Sequence, residues 1–190
     1  SSGMTNNGLI NVALDATFRG NNATFVNAGT FAGNGTFATH VNGDILNQGI
    51  VSPGLVAAPI GQLHIEGDLR QATIGSVVFD LATLASFDQL AVSDDVFLTG
   101  SVIARNAGYV PVVGERFLVM TFDERPLDTT FDLVTTQGFD AGIRFAAVYD
   151  THSMSLVVVS VPEPETYAML LVGLGLLGFR FSRRSARVAG

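Results

Sequence analysis

Three tripeptides limit how this chain can fold. Asn6-Asn7-Gly8, Asn27-Ala28-Gly29 and Asn47-Gln48-Gly49 share the form N-x-G and recur at spacings of 21 and 20 residues. Each is followed by a strand-compatible pair, Leu9-Ile10, Thr30-Phe31 and Ile50-Val51, and shorter echoes lie between them, Gly33-Asn34-Gly35-Thr36-Phe37 and Val41-Asn42-Gly43-Asp44-Ile45. A period of about 20 residues built from short apolar pairs and Gly/Asn corners is the mark of a β-solenoid, in which neighbouring coils bury each other's faces. Asn and Gly tolerate left-handed backbone geometry, so the tripeptides are expected to turn the corners. Stacked asparagines can also hydrogen-bond along a ladder. A meander of hairpins with Asn-Gly turns is the competing arrangement.

After the repeats comes a loop, Ser52-Pro53-Gly54 to Ala58-Pro59-Ile60-Gly61, and then strict alternation. Leu63, Ile65 and Leu69 point one way, and His64, Glu66 and Asp68 the other. Further strands are expected at 77–81, 89–92, 96–98, 101–104, 117–122, 143–149 and 154–159, which are rich in Val, Phe and Leu and separated by Gly, Asp or Pro. No stretch before Pro162 has a helical period. The sequence therefore divides into N-x-G repeat coils (1–54), further coils with capping strands (55–160) and a tail (161–190). The opening Ser-Ser-Gly-Met-Thr-Asn-Asn has neither a basic nor an apolar leader segment, which suggests that the repeat coils are part of a longer series.

The tail sets three unlike chemistries in order. Val161-Pro162-Glu163-Pro164 resists both helix and sheet, because each proline lacks a donor and pushes its predecessor toward extended geometry. An uncharged run follows from Thr166 to Phe179 and ends in Arg180, Arg183, Arg184 and Arg187. As a helix, residues 166–179 would span about 21 Å, short of the ~30 Å hydrocarbon core. Arg180 can snorkel and extend the buried stretch to Phe181, and Tyr167 stands where an interfacial aromatic belongs. A single C-terminal transmembrane helix is expected, with its arginine-rich end in the cytoplasm and the body on the far side.

Proline-Glu-proline, a short Leu/Gly-rich run and a terminal arginine cluster together resemble the PEP-CTERM sorting tail of exported proteins of Gram-negative bacteria. The resemblance implies an exosortase-type membrane protease or transpeptidase as partner. It also implies recognition or cleavage at Pro162, Glu163 and Pro164, a helix opened by Tyr167-Ala168, and retention through Arg183 and Arg184; Val161 is expected to share the sorting segment, and Tyr167 and Arg180 the membrane anchor. Departures from the pattern are Glu165, where a small hydroxyl residue is common, Tyr167, where tryptophan is common, and Arg180 within the apolar stretch. A second resemblance covers residues 45–120. Asn47-x-Gly49-x-Val51-Ser52-Pro53-Gly54, Gly61-x-Leu63-x-Ile65-x-Gly67-Asp68-Leu69, Phe87-Asp88-Gln89-Leu90 and Gly108-Tyr109-x-Pro111-x-x-Gly114-x-x-Phe117 look like the last coils of autotransporter-type passenger repeats. That likeness implies an all-β body, a right-handed parallel β-solenoid.

Composition narrows the functional classes. Six arginines stand against fifteen acids in residues 1–160, and lysine is absent, so a nucleic-acid role has no electrostatic footing. With no cysteine there is no disulfide, thiolate nucleophile or cysteine metal site. His40, His64 and His152 are not at metal-ligand spacing. Asp94-Asp95, with Asp88 and Asp80 nearby, lacks the ordered pattern of a calcium loop. Gly173-x-Gly175-x-x-Gly178 matches a dinucleotide fingerprint in letters only, because a proline-rich segment precedes it where a strand is required. No cofactor, metal or catalytic residue is expected, and the chain reads as a non-enzyme.

These readings combine into an exported structural protein of the cell surface or extracellular matrix, associated with exopolysaccharide or biofilm. It would be held transiently in the inner membrane by its C-terminal helix before reaching the surface. A glycan-binding adhesin is the alternative. A polysaccharide-degrading β-helix enzyme, with Asp15, Asp44 and Asp88 as its carboxylates, is the other.

Overall fold

The computed structural model describes residues 3–21, 23–38, 44–55 and 58–160, together with Val172 and Leu174. It has two compact units, Ser1–Val159 and Ser160–Gly190. The named elements of the first unit are all strands, arranged in three sheets. The first sheet holds β1 (Met4–Asn6), β4 (Phe25–Asn27), β7 (Ile45–Asn47), β10 (Leu69–Gln71) and β14 (Val96–Phe97) in that order. The second runs β2 (Leu9–Val12), β5 (Thr30–Gly33), β8 (Ile50–Pro53), β11 (Ser76–Thr83), β15 (Ser101–Asn106) and β17 (Leu133–Gln137), with β12 (Ser86–Phe87) folded back antiparallel on β11. The third runs β3 (Thr17–Arg19), β6 (Thr36–Ala38), β9 (Gln62–Glu66), β13 (Gln89–Val92), β16 (Arg116–Thr121), β19 (Ser153–Ser160) and β18 (Ile143–Tyr149).

Each N-x-G repeat thus gives one strand to each sheet, and strands one repeat apart pair in parallel. Asn6 lies opposite Asn27 and Asn27 opposite Asn47, while Ile10, Phe31 and Val51 align in the second sheet. Parallel pairing rules out the hairpin meander, whose strands would alternate in direction. Antiparallel pairs occur later in the chain, β11 with β12 and β16 with β19 among them.

The tripeptides work differently from the expectation. None of Asn6, Asn27, Asn47, Gly8, Gly29 and Gly49 has positive φ; among the described residues the only non-glycine that does is Asp15. Glycine is needed because successive repeats come very close at this corner. A Cβ on Gly49 would stand 2.1 Å from the Gly29 carbonyl oxygen, and one on Gly29 2.2 Å from that of Gly8. The asparagines form a buried amide column. Asn6 Nδ2 donates to Asn27 Oδ1 (2.8 Å), Asn27 Nδ2 to Asn47 Oδ1 (2.7 Å), and Asn47 Nδ2 to Gln71 Oε1 (2.9 Å). Each of those three Nδ2 groups also donates to a backbone carbonyl in the second-sheet strand one repeat further on, at Thr30, Ile50 and Ser76. The column ends at Gln71, whose Nε2 is buried without a partner, and Leu98 lies next in sequence register, buried.

Between the sheets lies one continuous apolar core. Its first part is built from Thr-Phe pairs at 17–18, 24–25, 30–31 and 36–37, where alternation sends threonine outward and phenylalanine inward. Phe37 is fully buried and touches three rings, with centroids 4.9 Å from Phe25, 5.1 Å from Phe31 and 5.5 Å from Phe18. Burying each such ring stabilises the fold by about 1.5–3 kcal/mol.

Among the described residues no helix is long and apolar enough to cross a membrane. The expected membrane helix falls on residues that lie outside the description, save for Val172 and Leu174, which are helical and exposed.

Candidate functional site

The sorting residues Val161, Pro162, Glu163 and Pro164 and the retention residues Tyr167, Arg180, Arg183 and Arg184 all lie outside the described residues. The structure does show how the body ends before them. β19 runs to Ser160, lying between β16 and β18 in the third sheet. Its inward residues Met154, Leu156 and Val158 are buried. The chain therefore leaves the body from a strand anchored inside a sheet, and Ser160 is the first residue of the second compact unit.

The carboxylates considered for catalysis lie at different places in the fold. Asp15 is in the turn between β2 and β3, Asp44 immediately precedes β7, and Asp88 precedes β13. Asp44 is bound by Arg70 Nε at 2.6 Å, and the same guanidinium reaches Asp68 at 3.5 Å and lies 4.0 Å over the Phe97 ring. Burial pushes the Asp68 carboxyl above its ordinary range, against the Asp95 N–H that it accepts. Asp94 and Asp95 sit at the far end of β13 from Asp88, so the four aspartates considered for calcium do not converge. Among the described residues no group of three or more His, Asp or Glu is placed to hold a metal. His64 lies half-exposed on the outward side of β9, His152 Nδ1 contacts the Asp123 carbonyl, and His40 lies outside the description.

One cluster was invisible in the sequence. Asp80 on β11 and Arg105 on β15 face each other in register, 25 residues apart, through two bonds (Nε to Oδ1, 2.5 Å; Nη2 to Oδ2, 2.6 Å). Asp88 lies beside them, fully buried. Its Oδ1 accepts from Gly61 N (2.8 Å) and its Oδ2 from Asp80 N (2.9 Å). Asp80 and Arg105 border a groove of about 470 Å³ on the outer face of the second sheet, floored by Ile50, Val78 and Ile103. Asp88 ties Gly61, two residues after the groove-lining Pro59, to β11. Its two oxygens are occupied and it has no exposed surface, so it cannot exchange a proton with a ligand in the groove. The cluster is a clasp.

Burial raises the Asp88 carboxyl to about 8, outweighing the two backbone donors and the nearby Arg105 charge; the Asp80 carboxylate adds to the rise. The folded state then keeps a proton that the unfolded chain releases near pH 4. Stability contributed by this group falls as pH rises from about 4 to about 8, at up to ~1.4 kcal/mol per pH unit. Asp88→Asn carries no such charge. Its unfolding midpoint relative to the parent is expected to improve from pH 5 to pH 9 in thermal melts followed by circular dichroism. A pH-independent difference would mean that Asp88 is ionised throughout.

Comparison with protein families matches residues 160–184 to the PEP-CTERM protein-sorting motif. The chain carries a PEP-CTERM tail. The match begins at the last residue of β19, where the first compact unit gives way to the second. PEP-CTERM domains are processed by exosortase, and the signal is that of exported, membrane-anchored surface proteins. Comparison with curated proteins finds none that matches.

Proposed function

We propose that this chain is an exported structural protein of the cell surface or extracellular matrix, with a β-solenoid body as cargo and a PEP-CTERM tail as address. The observation that carries this reading is the sorting motif at 160–184, which begins at the last residue of the body's final strand. In this reading residues 166–181 cross the inner membrane with the arginines in the cytoplasm. Exosortase acts at Pro162-Glu163-Pro164, and the freed body joins an exopolysaccharide layer. The body's role is structural rather than catalytic, which is supported by the separate placement of Asp15, Asp44 and Asp88. The acidic balance of residues 1–160, fifteen carboxylates against six arginines, keeps such a protein from adhering to other polyanions.

Replacing Pro162, Glu163 and Pro164 together by alanine tests the address. In cells that contain exosortase the variant is expected to stay at full length in the inner membrane fraction, while the parent is shortened. Equal processing of the two would remove the triplet from recognition.

An adhesin is the second reading, favoured by the groove of about 470 Å³ and the Arg105 side chain at its border. Glycan-array binding by the full chain in detergent, lost in Arg105→Met, would support it over a purely structural role.

A further inference from the structure

Exposed apolar side chains on the body are mostly isolated, as Leu14, Ile74 and Leu127 are, and single ones are ordinary on protein surfaces. The loop between β15 and β16 is different. It carries Val110-Pro111-Val112-Val113, in which the valines are 78%, 64% and 55% exposed while Pro111 is buried as an anchor. No polar side chain interrupts the four. Both ends of the loop bend at glycines with left-handed backbone, Gly108 (φ 104°) and Gly114 (φ 94°).

The tip is held rigid from within. Asn106 Oδ1 accepts from Gly108 N (2.8 Å) and Tyr109 N (2.7 Å). Tyr109 Oη and Val112 N both donate to Glu115 Oε2, each at 2.8 Å, so the one carboxylate of the loop is consumed inside it. Pro111 has no N–H, and the Val112 carbonyl accepts from Glu115 N at 3.1 Å. At the tip itself the Val112 N–H and carbonyl are already bonded and Pro111 brings no donor, which lowers the cost of contact with a low-dielectric medium. A preformed tip also loses little conformational entropy on docking.

Its position names the medium. Gly114 N donates to the Val158 carbonyl and Val158 N to the Glu115 carbonyl, both at 2.9 Å, and Arg116 pairs with Val157 across β16 and β19. The valine tip thus lies alongside the last residues of the body, just before the PEP-CTERM tail begins at residue 160. From Ser160 to the start of the apolar run at Thr166 the chain reaches about 20 Å at most when fully extended. A bilayer that holds the run is within that tether of the tip.

We infer that Val110, Val112 and Val113 form a membrane-contact tip that rests in the interfacial layer of the bilayer receiving the tail, and so orients the body on the membrane before release. The inference rests on the sorting reading above. Binding at a bilayer surface scales with buried apolar area, which the three valines supply, whereas a specific protein interface draws on aromatic residues and arginine, which they lack.

The chain lacks cysteine, so single-cysteine variants of the full chain can be labelled cleanly. Val112→Cys, Val113→Cys, Ile74→Cys and Leu174→Cys would each carry an environment-sensitive fluorophore, in vesicles of phosphatidylethanolamine and phosphatidylglycerol with iodide as aqueous quencher. The expected result is a blue shift and loss of quenching at positions 112, 113 and 174, with position 74 quenched freely. Protection at 174 with free quenching at 112 and 113 overturns the tip and leaves the anchored tail standing. Free quenching at 174 overturns both. Protection at 112 that persists without lipid, or that appears only on adding exosortase, assigns the tip to a protein contact and overturns the inference.

Discussion

Asn27→Leu is expected to destabilise the body by about 4 kcal/mol, from groups left without partners at about 1–3 kcal/mol each. Asn27 is fully buried, and its amide joins three others. It accepts from Asn6 Nδ2 and donates to Asn47 Oδ1 and to the Ile50 carbonyl. Leucine has the right size but satisfies none of them. Against a total stability of about 5–15 kcal/mol for an ordinary domain, this is a large share. The end of the same column gives the control. Gln71 makes one bond within the column and leaves its own Nε2 unbonded, so Gln71→Leu removes an orphan as well as a bond and is expected to cost within about 1 kcal/mol. Urea unfolding of the full chain in detergent, followed by circular dichroism, compares the two. Equal losses would show that the column is filler and that size alone matters.

Arg105→Met is the second large effect, about 3 kcal/mol, from leaving a buried carboxylate without its partner. The Asp80 side chain is 3% exposed and the Arg105 side chain 45% exposed. Water entering where the guanidinium stood holds the loss at the low end of what a buried pair shows. Removing both partners, Asp80→Leu with Arg105→Met, is expected to cost less than removing arginine alone, because no uncompensated charge is left. A double-mutant cycle in the same unfolding assay measures the coupling. Additive losses would mean that the pair is solvated in place.

Much of the body was legible because its repeat is in the sequence. The N-x-G spacing placed Asn6, Asn27 and Asn47 in one column, and the alternation around Leu63 and Ile65 correctly separated inward from outward residues. The reason for the glycines was not legible. A left-handed corner and a close approach between repeats both select glycine, and only the 2.1–2.2 Å spacing beyond Gly29 and Gly49 tells them apart. β17 went unread because Leu133-Val134-Thr135-Thr136-Gln137 buries no residue fully and therefore shows no strong pattern. The Asp80–Arg105 pair was hidden for another reason. The segment containing β12 interrupts the even spacing after Gln71, so the partner 25 residues on is set by the sheet and not by any motif. The tail is the reverse case. Three chemistries in fixed order announced it over 161–190 without any help from tertiary structure, and the family match at 160–184 overlaps that stretch.

The address role of that tail is tested most directly by the mass of the exported body. With an epitope placed before Val161, the chain would be followed in cells with and without exosortase, and its C-terminus read by mass spectrometry. The account predicts a body shortened at or near Pro162-Glu163-Pro164 and freed from the inner membrane only where exosortase is present. An intact chain of unchanged location in both strains would contradict it.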